Sequence, residues 1–158
     1  MAGVVDGNLN HTQSSRHIDY IKVNGQPVGE IAQFALYVGA MGLPVIYLSG
    51  DEAACREARE TIAGITTTAV KRGLSRDSAV SLSAVEARRR IRKDIKSAID
   101  KHLKTPLAPL AWKGPFTVEK RYFHTDSADN YAGQEDVERV DSQTVRFTSE
   151  DIRKVIYR

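Results

Sequence analysis

Between Gly42 and Val70 the chain reads strand, capped helix, strand, and few folds accept that order at that spacing. Leu43 to Leu48 is an unbroken apolar run with β-branched content and the length of a buried strand. Asp51 stands where an N-cap belongs, and the helix it opens sets Ala53, Ala54, Ala58 and Ile62 against Glu52, Arg56, Glu57, Arg59 and Glu60, ending at Gly64. Thr66 to Val70 returns as a second strand. A helix between two strands is the crossover of an α/β layer, so the expected fold is α/β, a mixed sheet layered with helices.

The flanks add elements to that layer. Ile18 to Val23 is β-prone and runs into Asn24-Gly25, the residues that tolerate positive φ in a tight hairpin turn. Val28 to Ala40 places Ile31, Phe34, Ala35 and Val38 at helical spacing, with Glu30 in the first turn and Gly42 beyond the end. Ser83 to Leu103 spaces Ile91, Ile95, Ile99 and Leu103 four apart, and Ser83 with Glu86 has the form of a capping box. Phe116, Val118, Lys120 and Tyr122 alternate with Thr117, Glu119 and Arg121 as a strand does. A short helix is expected over Asp126 to Gln134, and a strand pair over Val137 to Val140 and Thr144 to Phe147. Ser149 is expected to cap a final helix containing Ile152, Val155 and Ile156. The first fifteen residues, rich in Gly, Asn, Ser and Thr, follow neither period and read as a loop. No internal repeat appears, and residues 1–158 are expected to form one region.

Composition narrows the classes of function. At 158 residues, 41% hydrophobic and 27% charged, the chain is long enough for a core of its own and is neither a disordered nor a collagen-like sequence. Cys55 is its one cysteine, which rules out an internal disulfide and favours a reducing compartment, with the cytoplasm as the expectation. No apolar stretch approaches the roughly 20 residues of a membrane span, and Met1 to Asn10 has no basic or apolar region of a secretory signal. The net charge of +3 is mild. The basic run Arg88, Arg89, Arg90, Arg92, Lys93, Lys96 and Lys101 is broken by Glu86, Asp94 and Asp100 and carries no aromatics. It reads as a solvated helix face in preference to a nucleic-acid surface.

Four histidines are available for chemistry, and none forms a local metal motif. His11 stands out because Asn10-His11-Thr12 lies in a polar loop, where an imidazole calls for exposure or a partner. His17 opens a strand, His102 suits the end of a basic helix, and His124 reads as a loop residue. Glu30 has two readings, a carboxylate that favours the positive end of its helix dipole and one that faces a cation in a cleft. Cys55 and the serines Ser78, Ser81 and Ser83 lack the context of a nucleophile, and no phosphate-binding glycine motif is present.

Several segments together resemble a known family. Asn8-Leu9-Asn10-His11-Thr12 with Ser14-Ser15, Ile21-Lys22-Val23-Asn24-Gly25 and Pro27-Val28-Gly29-Glu30 are similar to the middle of the D-aminopeptidase family of zinc metallopeptidases. Leu43-Pro44-Val45, Ser49-Gly50-Asp51, Thr66 to Lys71, Leu74-Ser75-Arg76 and Thr144 to Phe147 continue the resemblance in order, over nearly the whole chain. The resemblance implies a catalytic role for His11 and a zinc-binding role for Glu30. It also implies two zinc ions in the complete family site, a short peptide or amide with a free N-terminal residue of D configuration as substrate, and a ring-like homo-oligomer.

The departure from the family pattern is as informative. Family members carry most of their metal ligands upstream, in an Asp-x-Glu-Gly segment, an Asp-x-His segment and a His-Ala, and none of these is found here. Glu30 is then the one recognisable ligand, short of the three or four protein ligands a zinc site uses. The expectation is the C-terminal portion of such an enzyme, incomplete relative to the family fold, inactive alone and prone to self-association. The alternative is a non-catalytic scaffold of the same fold, with nucleic-acid binding a distant third.

Overall fold

A computed structural model describes residues 1–158 as two sheets joined through helices. The first sheet is antiparallel, in the order β2-β1-β6-β8-β7: β1 (Ile18–Val23), β2 (Gln26–Pro27), β6 (Phe116–Tyr122), β7 (Val137–Arg139) and β8 (Thr144–Ser149). The second is mixed, in the order β3-β4-β5: β3 (Tyr47–Asp51) parallel to β4 (Thr66–Ser75), which turns into the antiparallel β5 (Ser78–Ser81). Helices α1 (Glu30–Gly39), α2 (Glu52–Thr61), α3 (Ala84–Lys104) and α4 (Thr125–Asp129) complete the α/β architecture. The strand, helix and strand expected between Gly42 and Val70 are β3, α2 and β4, with the parallel pairing a crossover requires.

Local chemistry explains the elements. The β1–β2 turn uses Asn24 at φ 50° and Gly25 at φ 79°, the left-handed pair a tight hairpin needs. A register shift in β1 between Ile18 and Tyr20 lets Ile18, Ile21 and Val23 all reach the core. β6 keeps strict alternation, so Phe116, Val118, Lys120 and Tyr122 all point inward. These strands, with Val28, Ala32 and Leu36 from the α1 side and Ile152, Val155 and Ile156 from the C-terminus, build a core of 15 buried residues, whereas a second cluster beside α2 has four.

Several boundaries depart from the expectations. The apolar run at Leu43 becomes a strand only from Tyr47, because Gly42 at φ +80° turns the chain and Pro44 has no N–H to pair. The strand from Thr66 extends to Ser75 and forms a hairpin with β5, whose four residues are too few to show a period. On α1 the buried side is Ala32, Gln33, Ala35, Leu36 and Gly39, and Phe34 is exposed. Small residues there allow close approach: a Cβ on Gly39 would lie 2.0 Å from the Leu110 carbonyl oxygen. Ser83 accepts a hydrogen bond from Glu86 N, but the Glu86 carboxylate pairs with Arg89 and Arg90, so only half of the capping box forms. Of α3 only Ala98 is buried, leaving Ile95, Ile99 and Leu103 on the surface. α4 ends at Asp129, short of Gln134. The C-terminal helix is a single 3-10 turn, Ile152–Lys154, capped by Asp151 in place of Ser149, whose hydroxyl instead accepts from Asp151 N. No helix is long and apolar enough to cross a membrane.

Candidate active site

The loop of residues 1–15 is pinned along its length, and that is what makes a site of it. Asp51 does two jobs. One carboxylate oxygen caps α2 by accepting from Ala54 N at 2.7 Å, and the other accepts from Asn8 N at 2.8 Å. Arg56 holds Asp6 through two bonds of 2.8 and 3.0 Å, which keeps the Asp6 carboxyl below the usual carboxylate range. Leu9 N donates to the Arg76 carbonyl at 2.7 Å. The loop crosses β4 at Gly73, where a Cβ would meet the Asp6 carbonyl oxygen at 2.1 Å, so only glycine admits this path. Thr12 is buried and accepts from Ala2 N.

This path delivers His11 to the first turn of α1. His11 Nδ1 lies 2.8 Å from the Leu9 carbonyl oxygen, which can only accept, so Nδ1 carries the proton. Nε2 then faces Glu30 Oε2 at 3.7 Å. Both side chains are about half exposed, at the mouth of a cavity of about 210 Å³ that Asp51 and Glu57 also line. Glu30 sits in the first turn of α1 after the Gly29 N-cap, so the dipole reading and the cleft reading describe the same position. Tyr157 comes back toward this helix, its ring 5.6 Å from that of Tyr37; burial, with Glu30 and Tyr37 nearby, raises its phenol above the ordinary range. A second cavity, of about 790 Å³, opens on the other side of His11 and includes Arg16, Arg76 and Phe123.

The other candidates stay apart from this pair. His17 and His124 share a shallow depression with Tyr122 and Tyr131, and His102 accepts from Leu107 N at 3.1 Å. Cys55 is buried, and that burial pushes its thiol up, away from the reactive thiolate. On α3, Arg89 and Arg90 pair with Glu86 and Lys96 with Asp100, as a solvated face does.

The sequence reading passed over three residues behind the site. Lys120, 4% exposed, donates from Nζ to Gln13 Oε1 at 3.1 Å and to the main-chain oxygen of Arg158. Gln13 Nε2 donates to Gln33 Oε1 at 2.7 Å, and fully buried Gln33 sits one turn into α1 from Glu30. Two signals were available: a lysine at an inward position of a strict alternation, and a glutamine among the small residues of a buried helix face.

Zinc can be tested against these residues. No group of three or more His, Cys, Asp and Glu side chains converges closely enough to hold a metal ion. His11 and Glu30 offer at most two donors where zinc takes three or four from protein, so the residues of this chain do not by themselves fit the metal.

An α/β fold with a histidine and a carboxylate converging at a cleft is the equipment of a proton-handling site. The particular kind follows from comparison with known proteins. The family model described as D-aminopeptidase matches residues 1–158, and the chain belongs to that family. A D-aminopeptidase of Bacillus subtilis is 34% identical over 93 residues, which is 58% of this chain and 34% of that protein. A solved structure, the Zn-dependent D-aminopeptidase DppA from Bacillus subtilis, described as a self-compartmentalizing protease, superposes with a TM-score of 0.89 at 25% identity. That likeness covers 99% of this chain and 56% of the relative. The chain thus spans about a third of the one relative's length and about half of the other's.

Proposed function

We propose that this chain is the His11- and Glu30-bearing part of a zinc-dependent D-aminopeptidase, which releases N-terminal D-amino acids from short peptides or amides. The observation that carries the reading is the approach of His11 Nε2 to Glu30 Oε2 at the mouth of a cleft in a chain of this family. His11 has the geometry to hold a proton at Nε2, because its Nδ1 proton is already committed to the Leu9 carbonyl. Glu30 would serve as one metal-binding carboxylate. The remaining ligands of a two-zinc site would come from residues outside this chain, and the chain alone would hydrolyse little. Of the carboxylates lining the cleft, Asp51 is committed to Ala54 N and Asn8 N and Glu57 to the Met1 ammonium at 2.8 Å, which leaves Glu30 to meet the ammonium group of a free peptide N-terminus.

Homo-oligomerisation belongs to the same reading. It is supported by the exposed Ile95, Ile99 and Leu103 of α3 and by the relative described as self-compartmentalizing. A reducing, cytoplasmic compartment is proposed on the single buried Cys55.

Metal content and hydrolysis of D-aminoacyl amides, measured on the chain alone and on the chain joined to the segments that complete its relatives, test the proposal. Zinc retention and hydrolysis only in the completed form, with hydrolysis lost in His11→Ala and zinc lost in Glu30→Gln, are the expected results. A completed form that binds no zinc would leave the scaffold reading in its place.

A further inference from the structure

A lysine inside a protein is expensive, and Lys120 has no Asp or Glu side chain to offset its charge. It lies in the centre of β6, between Ile21 on β1 and Val145 on β8, both essentially inaccessible to solvent. Its three protons meet two acceptors, Gln13 Oε1 and the main-chain oxygen of Arg158, and no Asp or Glu side chain pairs with it. Burial accordingly lowers its affinity for a proton, to about 8 from the ordinary 10.5. Methionine would fill the same space at no such cost.

The geometry shows what the ammonium does. An ammonium only donates, so it fixes the Gln13 amide with its oxygen toward Lys120 and its nitrogen outward. That nitrogen meets Gln33 Oε1 at 2.7 Å, and Gln33 Nε2 in turn reaches the Val28 carbonyl at 3.4 Å. Each member therefore has one orientation. Gln13 is two residues beyond His11 and has left-handed backbone, φ 59°, which a residue other than glycine adopts at a cost. Gln33 is three residues beyond Glu30, on the same helix. One chain of hydrogen bonds, anchored on the buried Lys120 and Gln33, thus touches both segments that carry the site.

We propose that Lys120, acting through Gln13 and Gln33, is a positioning residue that clamps the His11 loop onto the first turn of α1 and so sets the approach of His11 to Glu30. The inference rests on the functional reading above for its significance, but its test does not pass through catalysis. Failure of hydrolysis in the completed enzyme would overturn that reading alone.

The test uses the imidazole tautomers of the histidine-labelled chain, followed by long-range proton–nitrogen NMR correlation at about pH 7.5, above the ordinary histidine range. His11 is held with its proton on Nδ1 by the Leu9 carbonyl. His102 is held in the opposite sense, its Nδ1 accepting from Leu107 N at the far end of α3, and serves as an internal control. In Lys120→Met the Nδ1–H form of His11 is expected to lose its dominance, with His102 unchanged. Gln13→Met is expected to give the same loss, and the double variant no more than either single one, because all three cut one path. A folded Lys120→Met or Gln13→Met with His11 as in the parent chain would overturn the proposal. So would parallel loosening of His11 and His102, the mark of general destabilisation. If Lys120→Met does not fold, Gln13→Met decides by itself, since Gln13 lies nearer the surface.

Discussion

The two sheets of this molecule are built to different standards. The antiparallel sheet β2-β1-β6-β8-β7 packs 15 buried apolar residues, among them Phe147, Val118, Val145 and Ile21, each at 1% exposure or less. The sheet β3-β4-β5 has a cluster of four beside α2, its strand β5 is exposed throughout, and α3 buries only Ala98 against it. Both halves obey the same backbone rules, so the difference lies in what covers the apolar side chains. The first region is finished within the chain. The second presents Val85, Ile95, Ile99 and Leu103 on a helix with eight Lys or Arg against three Asp or Glu, a surface that gains from a partner. The site sits at the join, its loop tied to α2 and β4 on one side and to α1 and β6 on the other.

The contrast can be broken most sharply in the larger core. Phe147→Ala removes a ring that packs edge-on to Tyr131 and is closed to solvent, and is expected to cost about 3 to 5 kcal/mol in denaturant unfolding. A loss below about 1 kcal/mol would mean that this sheet is no better packed than its neighbour.

A smaller effect appears with pH. Lys120 has its proton affinity depressed in the folded state, so below about 8 the buried ammonium costs stability, and the cost disappears as the pH rises from about 8 toward 10.5. Relative to Lys120→Met, the parent chain should gain up to roughly 3 kcal/mol across that window. Cys55 and Tyr122, whose buried groups are raised, pull the other way in both proteins and cancel in the difference. Equal pH slopes for the two chains would show that the lysine is not buried as described.

The smallest effect on folding is expected on α3. Leu103 is 75% exposed, so Leu103→Ser should change unfolding free energy by no more than about 0.5 kcal/mol. Sedimentation should nevertheless show weaker self-association, if that face is where copies meet. A large stability loss instead would mean that α3 is covered within the monomer and that the two sheets differ less than they appear to.

The legibility of the site followed the same division. His11 and Glu30 stood out because a polar imidazole in a loop and a carboxylate at a helix start are local facts, and the family resemblance joined them. Nothing local could join them in space: nineteen positions separate the two, and the approach is made by the turns of a loop held at Asp51, Arg76 and Gln13. Lys120 was visible as one inward position of β6, yet its partner lies 107 residues away.

By itself the amino-acid sequence determined the short-range features: the β1–β2 turn at Asn24-Gly25, the Asp51 and Ser83 caps, the alternation of β6 and the crossover from β3 through α2 to β4. Each depends on residues within a few positions of one another, where backbone sterics and local hydrogen bonds decide. The tertiary structure alone decided which side of α1 is buried, that Ile95, Ile99 and Leu103 of α3 face outward, and that a buried lysine reaches both segments of the site. Those outcomes turn on which surfaces meet after the chain has closed on itself. Apolar periodicity says that a face will be covered but not by what.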